Sequence, residues 1–218
     1  METLDQIAIK MGTDKSSNGH SYTKHYEAYF EPLRNLPIKI LEIGVQTGAS
    51  LRMWKQYFPK AQIYGLDYYD CEPFIEDRIK IIQGAQIDPK VLEKVSAEGT
   101  FDVIIDDGSH KNPDILASFE YLFPRMSIGG LYIVEDLNVT YWGNTHNVGE
   151  QTVIPRFKEL VDDVMARGKS GIGDPNKDQQ DGEWKKRGEG RMTWWEKNIR
   201  FVHFYRSMAF IGRSELTY

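Results

Sequence analysis

The sequence predicts an α/β fold in which parallel strands alternate with helices and the chain closes on an antiparallel hairpin. Three observations predict it. Strand-like apolar runs recur at Ile38–Ile43, Gln62–Leu66, Arg78–Gln83, Phe101–Ile105 and Leu131–Val134, a texture suited to strands covered on both faces of a sheet. Helical patterns fall between them. Ile199–Tyr205 and Met208–Gly212 alternate and abut, as the two arms of a hairpin do.

The most informative unit runs from Phe101 to Asn138. After its first strand, Asn112 is placed to cap a helix and Pro113 suits the first position. Ile115, Leu116, Phe119, Leu122 and Phe123 then repeat at helical spacing. Pro124 and Gly129-Gly130 close the helix before the next strand. A strand–helix–strand unit makes the two strands parallel. Asp106-Asp107 ends the first and Glu135-Asp136 the second. Neighbouring strands lie about 4.8 Å apart, so four carboxylates and His110 are expected to converge at the carboxyl edge, where open α/β sheets bind ligands. Any one of these acids reads as a solvated strand end. The set, with its mutual repulsion, asks for a cation or a proton, and an oxygen donor set suits a hard divalent ion such as magnesium.

Upstream, Glu2–Met11 reads as an amphipathic helix, Gly12–Lys15 opens a polar loop, and Tyr22–Arg34 returns to helix. Together residues 1–36 form a helical cap. Tyr26 and Phe30 suit the core, whereas Tyr22, at the loop–helix junction, is a candidate to face a ligand. The first strand runs through Glu42 into a turn at Gly44 and Gly48, followed by Ser50 and a helix through Leu51, Trp54 and Tyr57. Strand, glycine turn and helix together are a nucleotide-site signature. Asp67 stands twenty-three residues beyond Gly44, where an acid accepts from ribose hydroxyls. The second glycine of a dinucleotide turn is absent, with Gln46 in its place, and Glu42 adds an acid near the phosphate position. Both features disfavour NAD and suit an adenosine that carries an amino acid, which points to S-adenosylmethionine. Gly84–Asp88 turns at the same edge, and Asp106 is placed to serve cofactor, metal or a structural cap.

Beyond Asn138 the texture changes. Ile154–Met165 is amphipathic, while Ala166–Arg191 is charged and glycine-rich without apolar period. Residues 143–195 are therefore expected to be a lid or acceptor-binding insertion. Trp184, Trp194 and Trp195 are candidates to contact a substrate ring or to anchor it to the core.

Composition sets bounds. A chain of 218 residues suits one domain. Its 27 basic and 32 acidic residues give a formal charge of −5 with no long basic run, which argues against a nucleic-acid scaffold. Cys71 is the single cysteine, so an intrachain disulfide and paired-cysteine zinc sites are excluded. Neither a signal pattern nor a membrane-length apolar run is present, and the expected location is the cytoplasm.

The glycine turn, Asp67, and above all D-D-G-S-H followed by V-E-D resemble the metal-dependent sugar O-methyltransferases of macrolide biosynthesis, of the mycinamicin and tylosin type. G-T-D-K near the start and F-Y-R-S near the end fit the same pattern, so the resemblance spans about Gly12 to Arg213. It implies a Rossmann-like, seven-stranded class I methyltransferase sheet with helices on both faces. It also implies magnesium on Asp107, Glu135 and Asp136, His110 as catalytic base, and S-adenosylmethionine near Glu42, Gly44, Asp67 and Asp106. Thr13, Tyr22, Ser50 and Gln86 are grouped with the cofactor set. Ala85 departs from the family, which often has an acid there; the additional N-terminal domain of the mycinamicin enzyme has no counterpart; and the lid differs most. The implied partner is a small-molecule glycoside or glycan acceptor, without nucleic acid or membrane insertion, and a homo-oligomer is compatible with the sequence. The competing readings are methylation of a catechol-like diol and a non-catalytic adenosine-binding module, with a nicotinamide oxidoreductase last.

Overall fold

The apolar runs become strands Lys39–Ile43 (β1), Gln62–Asp67 (β2), Ile79–Gln83 (β3), Val103–Asp106 (β4) and Leu131–Val134 (β5). Ile199–Tyr205 (β6) and Met208–Arg213 (β7) form the closing hairpin. In the computed structural model, which describes residues 1–142, 152–165 and 192–215, these make one seven-stranded sheet in the order β3-β2-β1-β4-β5-β7-β6. The pairings from β3 through β5 are parallel, and β7 runs antiparallel between β5 and β6. This is the class I methyltransferase sheet with its terminal antiparallel pair.

Side chains alternate across a strand, and the sheet has a core on each face. Ile40, Ile63, Val103, Ile105 and Ile133 face helices Leu4–Met11 (α1), Thr23–Phe30 (α2) and Ala49–Tyr57 (α3), which bring Tyr26, Phe30 and Trp54. Leu41, Leu66, Ile104, Tyr132 and Val134 face helices Pro89–Ala97 (α4), Asn112–Leu122 (α5) and Ile154–Val164 (α6), which bring Val95, Phe119, Phe157 and Leu160. A short helix, Trp194–Asn198 (α7), leads into β6. Among the described residues no helix is long and apolar enough to cross a membrane.

Local rules account for the ends. Thr3 and Gln6 form a reciprocal capping box on α1, and Gly12, in the left-handed conformation, ends it. The expected helix over Tyr22–Arg34 stops at Phe30, because Pro32 follows and the chain tightens into a short turn at Glu31–Leu33. Inside the expected insertion, α6 is a packed core helix with Phe157 and Leu160 fully buried. Residues 143–151 and 166–191 of that segment, Trp184 among them, lie outside the described residues. Trp195 is an anchor: its ring stacks on Phe119 and Phe123 at 5.5 and 5.7 Å.

Asn112 is not the cap of α5. Lys111 holds that position, and the buried Asn112 amide is used elsewhere. It donates to the Thr140 carbonyl at 3.2 Å and accepts from the Val153 amide at 2.8 Å. The side chain thus ties the start of α5 to Thr140 and to Val153 just before α6. Asn112→Ala strands two buried backbone groups and is expected to cost roughly 1–3 kcal/mol, read as a lower denaturant midpoint at unchanged slope. A midpoint equal to that of the parent protein would show that these bonds contribute nothing.

Candidate active site

β4 and β5 are neighbours with Asp106 opposite Val134, so the next residues, Asp107 and Glu135, emerge side by side at the carboxyl edge. The two-residue period sends the flanking acids apart. Asp106 points into the core beneath α5, 1% exposed. It accepts from Ser118 Oγ at 2.5 Å, Gln86 Nε2 at 3.0 Å and the Tyr132 hydroxyl at 3.1 Å. Burial raises its pKa, and those three donors oppose the rise. Asp106 is thus placed behind the wall of the site, tied to it through Gln86.

In front of that wall lies a cavity of about 940 Å³. Thr13, Gly44, Ser50, Asp67, Gln86, Asp107, His110 and Asp136 all line it, so the sheet edge brings most of the expected residues to one place. Gly44 has φ +93°, and a Cβ there would meet the Asp107 carbonyl oxygen at 2.1 Å. The glycine lets the β1 turn lie directly on the β4 turn. At Gly108 a Cβ would meet Gln86 Oε1 at 2.0 Å; the same oxygen accepts from the Ser109 amide at 2.9 Å. Gln46, in the place of the missing second glycine, holds φ +51°. Its amide and that of Val45 donate to Asp67 Oδ2 at 3.1 and 2.7 Å, which fixes the acid against the glycine turn.

Glu42, Tyr22 and Glu135 stand back from the cavity lining. All three surround, or stand beside, a cation that sequence reasoning passed over. Lys15, 1% exposed, donates to Asp107 Oδ2 and, at 2.7 Å, to Glu135 Oε2, and lies 3.5 Å from Glu42 Oε1. Burial alone would lower its pKa, but Asp107, Glu135 and Glu42 outweigh burial and hold the ammonium well above its usual range. Burial also pushes Glu42 up to about 7, against Lys15 and Ser50, and pushes Glu135 well up against Lys15. Glu42 Oε2 accepts from Ser50 Oγ at 2.7 Å and Trp54 Nε1 at 3.2 Å. The Tyr26 hydroxyl donates to Glu135 Oε1, so a ring assigned to the core also carries a polar duty. Lys15 closes the G-T-D-K match, which assigns it no role. The available signal is the surplus of acids at the strand ends, whose compensation has to arrive from elsewhere in the chain.

One face of this set stays open. Asp107, His110 and Asp136 each offer a ligand atom within 4.8 Å of the others. His110 Nε2 lies 4.0 Å from both Asp107 Oδ1 and Asp136 Oδ2. Two carboxylates and an imidazole fit a divalent cation in donor type and spacing. Glu135 stands outside the group, its two oxygens turned to Lys15 and Tyr26. His110 and Asp136 have φ +57° and +51°, conformations that non-glycine residues adopt at a cost and that cluster at functional sites.

Lys15 is the group on which this balance rests. Lys15→Met leaves three carboxylates without their counter-ion and is expected to lower stability by roughly 3–5 kcal/mol at about pH 8. Burial raises Glu42 and Glu135 above the unfolded carboxylate pKa, so the folded variant binds more protons than the unfolded chain and loses stability as pH rises. The deficit against the parent should therefore shrink toward about pH 5. Denaturation across that range reads it, and a deficit independent of pH would refute the electrostatic account.

Residues 41–137 match the family model described as a methyltransferase domain. The chain is 35% identical to mycinamicin VI 2''-O-methyltransferase of Micromonospora griseorubida, over 97% of this chain and 53% of that protein. It is 39% identical to demethylmacrocin O-methyltransferase of Streptomyces fradiae, over 74% and 44% of the two chains. A solved structure of the MycE methyltransferase from the mycinamycin biosynthetic pathway, in complex with Mg, SAH and mycinamycin VI, superposes with a TM-score of 0.80 at 33% identity. That match covers 98% of this chain and 55% of the other. The chain thus spans about half the length of the curated relatives it matches. By sequence and by sheet topology it belongs to the class I methyltransferases, as a homologue of the macrolide sugar O-methyltransferases.

Proposed function

We propose that the chain transfers a methyl group from S-adenosylmethionine to a hydroxyl of a sugar, on a natural-product glycoside or a glycan, with magnesium at the carboxyl edge of its sheet. The observation that carries this reading is the Asp107–His110–Asp136 group opening into the same cavity as the glycine turn and Asp67. A methyl donor and a cation-assisted acceptor need those two halves side by side. The relatives named for sugar positions on macrolides and rhamnosyl tetracenomycin support the acceptor class.

When bound, the donor supplies an electrophilic methyl group and the ion supplies a Lewis acid that makes an adjacent hydroxyl more acidic. Asp107 and Asp136 hold the ion. Glu135, which shares the Lys15 ammonium with Asp107, is the third carboxylate able to turn to it. Asp67, held against the glycine turn, offers its carboxylate to the ribose. His110 takes the hydroxyl proton at Nε2, the atom equidistant from the two aspartates. Neutral imidazole suits that step near physiological pH. Holding donor and acceptor in line supplies much of the remaining acceleration.

Methyl transfer from labelled S-adenosylmethionine to a panel of glycosides, with and without EDTA, tests the function; full activity in EDTA would dismiss the ion. The two residue roles fail differently. Asp136→Ala is expected to raise the magnesium requirement, with part of the rate returning at excess metal. His110→Ala is expected to lower kcat by roughly 10²–10⁴-fold, to ignore added magnesium, and to regain some rate as pH rises. Recovery of His110→Ala with magnesium would make the imidazole a ligand instead of the base.

A further inference from the structure

We propose that Tyr22 is a positioning residue for the ion site: its hydroxyl decides which oxygen of Asp136 faces the ion. The inference rests on the reading of Asp107 and Asp136 as ligands, and it adds a residue that acts through one of them. The Tyr22 hydroxyl donates to Asp136 Oδ1 at 2.5 Å. The other oxygen, Oδ2, is the one that lies 4.0 Å from His110 Nε2. Asp107 shows the same division. Its Oδ2 is taken by Lys15, and its Oδ1 lies 4.0 Å from the same imidazole nitrogen.

Both outer oxygens are therefore held by one loop, and both inner oxygens converge. The loop is closed on itself: the Tyr22 and Thr23 amides donate to the Lys15 carbonyl at 3.0 and 3.1 Å. Ser21 takes φ +58° immediately before Tyr22. Tyr22 is 4% exposed, so it is immobilised by its packing and by the Lys15 loop. Asp136 is not: it stands at the end of β5 with its side chain 21% exposed, and a carboxylate there rotates unless one oxygen is tied. Hydrogen bonds of this kind orient metal ligands, and their loss commonly weakens metal affinity or activity by about 10–100-fold.

Tyr22→Phe removes the hydroxyl while keeping the buried ring. Free Mn²⁺ measured by electron paramagnetic resonance during titration gives the metal Kd of the full chain without any turnover. The expected result is a Kd raised on the order of tenfold. In the methyl-transfer assay the half-saturating magnesium concentration should rise in step, with kcat recovering at saturating metal. Thermal denaturation without metal monitors folding. A lower Tm with unchanged Mn²⁺ affinity and magnesium dependence would make Tyr22 purely structural and overturn the inference. No Mn²⁺ binding by the parent protein would overturn the ion reading itself, and the inference with it.

Discussion

One ammonium among three carboxylates is the constraint on which the site depends. Without Lys15, Glu42, Asp107 and Glu135 would crowd the edge of the sheet as mutually repelling charges in a poorly solvated place. Desolvation of such groups costs several kcal/mol each, which their attraction to a common cation offsets when the contacts are short. The arrangement also divides labour among the acids. Those turned toward Lys15 are neutralised inside the protein. Those turned toward His110 keep an oxygen facing the cavity. A tethered cation thus lets the protein hold a dense carboxylate set and still present only part of it to the cavity.

The second constraint is steric. Gly44 lies against the Asp107 backbone and Gly108 against the Gln86 amide. The glycine turn of β1, the turn after β3 and the ligand-bearing turn of β4 are consequently one packed unit. Asp67 extends that unit to β2 through the Val45 and Gln46 amides. The glycine-turn wall and the Asp107 wall of the cavity share backbone contacts, so a small displacement of one moves the other. The proposed methyl transfer would draw on that rigidity to align donor and acceptor.

Most of the fold was legible because it rests on period and punctuation. Strand runs covered on both faces, helices between them and a closing hairpin leave strong local marks, and Asp107 falls where a parallel β4–β5 pair puts it. What was misread follows from two causes. Consecutive acids on a strand point to opposite sides, so Asp106 could not join Asp107; the rule was available, but convergence at an edge was given more weight. Asp136 escapes the same rule only because φ turns positive there, and a left-handed aspartate carries no sequence mark. Asn112 looked like a cap because capping is judged locally, whereas its partners Thr140 and Val153 are 28 and 41 residues away. Lys15 and the hydroxyls of Tyr22 and Tyr26 are defined wholly by distant partners.

Those distances bear on how the protein is assembled. Lys15 lies 92 residues from Asp107 and 120 from Glu135, Tyr22 lies 114 from Asp136, and Tyr26 lies 109 from Glu135. Each of these contacts to Asp107, Glu135 and Asp136 closes a loop of 92 residues or more. Closing such loops carries an entropic cost that nearer contacts do not. The strands can therefore pair through local crossovers before the N-terminal loop is in place, but the acids at their ends then lack their counter-ion. Docking of the first two helices is what turns a sheet edge crowded with like charge into a settled one. The edge of the sheet is therefore complete only when the N-terminal loop has docked on it.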